Sequence, residues 1–180
     1  MRTAIIGIAF ALIQAAQAPP DTEIFLASLS ISGTRVQIGT PANITNDPGY
    51  DNQPFFTPDG KSILFTSMRG GGPTDIYRYD LASRAISRVT DTPESEYSPT
   101  VTPDGQHISV VRVEADKTQR LWRFTLAGHN PELVLADVKP VGYHAWADGH
   151  TLALYVLGSP ATLQLADTQT GKAEVVAKEN

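Results

Sequence analysis

Thr57-Pro58-Asp59-Gly60 returns 45 residues later as Thr102-Pro103-Asp104-Gly105, and again in degraded form as Ala147-Asp148-Gly149. Pro-Asp-Gly between two β-rich runs is a hairpin turn: Pro fixes φ at the first corner, Asp accepts from the backbone, and Gly takes the positive φ. The flanks repeat as well. Gln53-Pro54-Phe55-Phe56 aligns with Ser98-Pro99-Thr100-Val101, and Lys61 to Phe65 with Gln106 to Val110. Asp75 to Asp80 aligns with Arg120 to Thr125. A self-similarity of about 45 residues is the period of a four-stranded propeller blade.

Each copy carries its own strand signals. Ser62 to Ser67 and His107 to Val113 are rich in Ile, Leu, Val and Phe, as an inner strand buried on both faces requires. Ile76/Arg78 against Tyr77/Tyr79, and Leu121/Arg123 against Trp122/Phe124, alternate with period two. Polar breaks at Ala82 to Arg84, Ala127 to His129 and Thr170-Gly171 precede a fourth strand in each copy. No stretch beyond the N-terminal apolar run has helical periodicity. The reading is an all-β chain: a β-propeller with blades over 50–91, 96–137 and 142–178, and a half-blade over 23–46 that resembles only a third and fourth strand. Three and a half blades cannot close a ring of four to eight. The chain is therefore expected to be part of a longer protein. A six-bladed ring would need about 110 more residues at this period.

The motif running from Asn52-Gln53-Pro54 through Thr57-Pro58-Asp59-Gly60 to Ile63-Leu64-Phe65, with Asp75-Ile76-Tyr77 after it, resembles the TolB-type, WD-like β-propeller repeat. The second copy has Arg120-Leu121-Trp122 in place of Asp-Ile-Tyr, and the third lacks the proline and is one residue shorter. The likeness covers roughly residues 23–178. Proteins of this kind include a periplasmic component of the Tol–Pal envelope system and the substrate-gating propellers of prolyl-oligopeptidase-like and tricorn-like peptidases. The resemblance implies a Gram-negative envelope setting.

Composition narrows the function. The 180 residues hold 14 Lys plus Arg against 19 Asp plus Glu, a net charge of -5, which opposes binding to nucleic acid. Zero cysteines exclude disulfides, thiolate metal sites and a cysteine nucleophile. Residues 1–18 read as a signal peptide, with Arg2, an apolar run from Ala4 to Ile13, and small residues at Ala15, Ala16 and Ala18. Cleavage at Ala16-Gln17-Ala18 would leave Pro19 first, and cutting one to three residues earlier fits equally. The run is shorter than the roughly 20 residues a membrane span needs. The mature chain, from residue 19, is expected to be periplasmic or secreted, with no membrane span and no lipidation cysteine.

Catalytic and metal signatures are missing from the sequence. His107, His129, His144 and His150 have no zinc-binding spacing. Gly70-Gly71-Gly72 lacks the Lys-Ser/Thr of a phosphate loop, and no nucleophile elbow is present. Asp59, Gly60, Asp104, Gly105, Asp148 and Gly149 are assigned to structural turns, and no cofactor is indicated. The remaining candidates are the segments joining one blade to the next, which should emerge on one face. There Tyr50 stands beside Asp51, Tyr97 beside Glu96, and Tyr143 beside His144, with the loops of Arg69 and Lys117 opening on the same side. Each tyrosine either packs over the start of its strand or meets a ligand. The expected function is a non-catalytic module that binds an envelope protein, a peptide or a glycan. The alternative is the substrate-gating propeller of a secreted peptidase or hydrolase whose catalytic domain lies outside these residues. The ring would be closed by further blades of its own chain or by a second copy.

Overall fold

A computed structural model describes residues 20–179, so the signal-peptide reading of residues 1–18 lies outside them. Among the described residues, sixteen strands are arranged as three antiparallel four-stranded sheets and two two-stranded ladders that together make one hairpin arm. The arm pairs β1 (Phe25–Leu26) with β4 (Ala42–Asn43) and β2 (Leu29–Ser32) with β3 (Arg35–Ile38). Three sheets follow, each ordered as its strands occur in the chain. They are β5 (Asp51–Phe56), β6 (Ser62–Ser67), β7 (Asp75–Asp80) and β8 (Ile86–Arg88); then β9 (Ser95–Val101), β10 (His107–Val113), β11 (Gln119–Thr125) and β12 (Glu132–Leu133). The last holds β13 (Val141–Trp146), β14 (Thr151–Val156), β15 (Thr162–Asp167) and β16 (Lys172–Lys178).

Period-two alternation distributes side chains between neighbouring layers. On β6 every residue is buried: Ile63 and Phe65 face the hairpin arm, whereas Leu64 faces the second sheet. Three apolar slabs result. The first joins Ile24 of the arm to Phe65, Tyr77 and Tyr79; the second joins Leu64 and Ile76 to Ile108, Val110 and Phe124. The third joins Val111 and Leu121 to Leu152, Leu154 and Val156. The outermost layers lack such cover among the described residues. Leu29 pairs with Ile38 and Ile31 with Val36, and all four are more than half exposed.

The hairpin turns form as the repeated motif demands. Asp59 Oδ1 accepts from Thr57 Oγ1 at 2.7 Å and from the Lys61 amide at 3.1 Å, and Asp104 does the same with Thr102 and Gln106. These bonds hold both carboxyl groups below the usual range. Gly60 and Gly105 take φ of +66° and +69°. The third turn departs from the expectation. Without the Thr-Pro lead, Asp148 accepts directly from the His150 and Thr151 amides, each at 2.8 Å, and Gly149 stays outside the left-handed region. Gly128 is required for another reason: at φ +79°, a Cβ there would lie 1.8 Å from the Val89 carbonyl of the neighbouring sheet.

Candidate functional site

The innermost strands β5, β9 and β13 begin close together at one end of the stack, and the tyrosines at their starts converge there. Tyr50 and Tyr97 meet edge to face, with centroids 6.4 Å apart. Tyr143, 58% exposed, leans on Tyr155 at 6.3 Å. The three line a hollow of about 340 Å³ together with Gln53, Val111, Val113, Gln119, Gly142 and Leu157. No charged side chain lines it. Burial, then the neighbouring Tyr97, raises the Tyr50 phenol above its ordinary value, so it remains a neutral donor and acceptor.

The ionisable neighbours are not part of this mouth, which corrects the expectation that each would act beside its tyrosine. Asp51, Glu96, Tyr97, Tyr143 and His144 lie within strands rather than loops, and successive strand residues point to opposite faces. Asp51 is buried and pairs with Arg69 at 3.1 Å. Arg69 follows β6 in a short 3-10 turn (Arg69–Gly71), bonds the Thr45 carbonyl, and sits about 6 Å from the rings of Phe65 and Tyr77. Lys117 occupies the β10–β11 turn at φ +70°.

Glu96 is fully buried between the first and second sheets. Its carboxylate meets Thr92 Oγ1 at 2.5 Å, Thr90 Oγ1 at 3.2 Å and Arg112 Nε at 3.3 Å. Desolvation, reinforced by nearby Asp75, pushes its pKa up to about 7. Sequence reasoning missed these partners, because Asp75, Thr90 and Arg112 come from three other segments. It also missed the mouth residues Gln53 and Gln119. Gln53 is legible in retrospect, since it aligns with Ser98 across the repeat and Gln53 Oε1 accepts from the Ser98 amide at 2.9 Å.

His144 joins the second and third sheets. Its Nε2 lies 2.8 Å from Ser109 Oγ, which also bonds the Thr100 carbonyl and accepts from Trp146 Nε1. Ser109 has one hydroxyl proton to share between the Thr100 carbonyl and His144 Nε2. Burial holds its pKa down to about 4. The contact has the length of a nucleophile–base pair, yet Ser109 is buried with its oxygen saturated, and His144 Nδ1 has no orienting acid. Among the described residues, no group of three or more His, Asp or Glu is gathered for a metal ion. No helix there is long and apolar enough to cross a membrane.

Stacked four-stranded sheets with their first strands around one mouth define a β-propeller module. The family profile of the TolB beta propeller domain matches residues 11–178, and the chain belongs to that family. A Tol-Pal system protein TolB from Bordetella pertussis is 60% identical over 38 residues, 21% of this chain and 8% of that protein. The crystal structure of TolB from Acinetobacter baumannii superimposes with a TM-score of 0.66 at 25% identity, covering 87% of this chain and 41% of that one. The tricorn protease superimposes at 0.58 with 19% identity, over 87% of this chain and 18% of that one, a likeness of fold alone. The chain thus spans less than half the length of each of these proteins.

Proposed function

We propose that the chain is an exported, non-catalytic binding module, periplasmic or secreted, that holds a protein, peptide or glycan in its tyrosine-lined mouth. The convergence of Tyr50, Tyr97 and Tyr143, one from each sheet, around an uncharged hollow carries this reading. Rigid aromatic surface with hydroxyl and amide edges gives contact area and hydrogen bonds without demanding a charged ligand. The Tol-Pal name of its relatives supports an envelope partner. Replacing all three tyrosines by alanine tests the reading. Capture of immobilised envelope peptides and glycans should fall at least tenfold while the melting transition moves little. Unchanged capture sinks the proposal.

A further inference from the structure

The junction between the first and second sheets contains one hydroxyl proton too few. Thr90 Oγ1 accepts from the Ile76 amide at 2.8 Å and stands 3.2 Å from both Asp75 Oδ1 and Glu96 Oε2. A hydroxyl donates only one hydrogen bond, so it serves one carboxylate and leaves the other acceptor facing an acceptor. Asp75 is committed to other donors: Oδ2 pairs with Arg88 Nη2 at 2.6 Å, and Oδ1 takes the Thr92 amide at 3.4 Å. The remaining contact closes only if Glu96 carries a hydrogen. Both carboxyl groups are almost wholly buried, and water does not relieve the mismatch cheaply.

We propose that Glu96 holds a proton in the native state and donates it to Thr90, which in turn donates to Asp75, making this junction a proton-binding site that acts on the tyrosine mouth. Glu96 Oε1 then keeps the Thr92 hydroxyl as its donor, with Arg112 Nε 3.3 Å away but not hydrogen-bonded to it. The charged groups gathered here are Asp75 from β7, Arg88 from β8 and Arg112 from β10, with Asp91 on Arg88 and Glu94 on Arg112. Losing the proton sets the Glu96 carboxylate against Asp75 and draws it toward Arg112. Glu96 pairs across the ladder with Arg112, and Tyr97 with Val111, so a shift at the first pair moves two residues lining the mouth. The coupling to ligand capture rests on the binding function proposed above; the proton site does not.

Carboxyl-resolved carbon NMR on the full chain tests the site directly. One Glu carboxyl should titrate with a midpoint at or above pH 6, in keeping with the burial-raised value of about 7, and vanish in E96Q. Midpoints below 6 for every Glu overturn the proposal, with no variant required. Should E96Q fail to fold, the titrating carboxyl is assigned in the wild type through its proximity to the methyl groups of Thr90 and Thr92. Where E96Q folds, the ratio of the wild-type unfolding constant to that of E96Q should grow about thirtyfold from pH 5.5 to 8.5. A flat ratio overturns the site. The ring signals of Tyr97 should move with the same midpoint. Signals that stay fixed overturn the link to the mouth while leaving the binding function itself untouched.

Discussion

The same structural joint is built twice in this chain from opposite chemistry. Thr90 and Leu135 are 45 residues apart, as are Glu96 and Val141, and each pair occupies equivalent places where one sheet hands over to the next. Between the first and second sheets the joint is Thr90 and Glu96 with Asp75 and Arg112, all buried. Between the second and third it is Leu135 and Val141, packed with Val138 and Val156. One backbone geometry accepts either filling. The apolar version pays no desolvation penalty, whereas the polar one is stable only while every acceptor finds a hydrogen. Polar groups at the first joint therefore make it sensitive to protons near neutral pH, whereas the second junction answers only to acid, through the neighbouring His144.

The comparison can be broken most severely at the second joint. Val141→Asp would bury a carboxylate with no arginine beside it, and is expected to cost about 3–5 kcal/mol in denaturant unfolding. A cost under about 1 kcal/mol would mean that the two joints do not differ in kind. Gly128→Ala, which drives a methyl into the Val89 carbonyl at a left-handed φ, should cost at least about 2 kcal/mol. A neutral Ala there would show that the first and second sheets slide freely.

Two titrations sharpen the contrast further. A raised carboxyl pKa means that the folded state keeps a proton the unfolded chain has released. Glu96 thus withdraws stability as pH climbs from its ordinary 4.5 through about 7. His144 has a depressed pKa, so it withdraws stability as pH falls from 6.5 through about 4. The two slopes oppose each other between roughly pH 4.5 and 6.5 and leave a plateau there. E96Q should remove the decline on the alkaline side, and His144→Asn the decline on the acid side, each by about 1–3 kcal/mol at its extreme. A wild-type curve unaltered by either substitution would contradict both assignments. The smallest effect is expected at the mouth, where Tyr143→Ala should change the melting temperature by no more than a few degrees. A large drop would recast that exposed ring as part of the packing.

The fold was open to reading because its decisive features are local. A turn motif with Asp and Gly, and strands that alternate on either side of it, recur at a fixed interval, and three four-stranded sheets follow. Most of the candidate site was not open in this way. Tyr50, Tyr97 and Tyr143 could be placed by their position at the start of each inner strand. Their neighbours Asp51, Glu96 and His144 were assigned to the same surface because those segments read as loops. Pairing in fact begins at Asp51, Ser95 and Val141, and alternation turns the ionisable residues into the joints. Arg112 and Asp75 stand 16 and 21 residues from Glu96 in the chain, and no periodic signal links them to it.

No strand is shared between sheets, and each sheet is tied to the next by packing, a few hydrogen bonds such as Ser98 to Gln53 and Ser109 to His144, and a single crossing of the chain. Under mechanical tension applied to the two ends, such a stack has no continuous ladder to spread the load. The sheets should peel away one at a time, each releasing roughly 150 Å of extended chain at the 45-residue period. The polar and apolar joints would then appear as force steps of different height, and a pH change between about 7 and 8.5 would alter only the first.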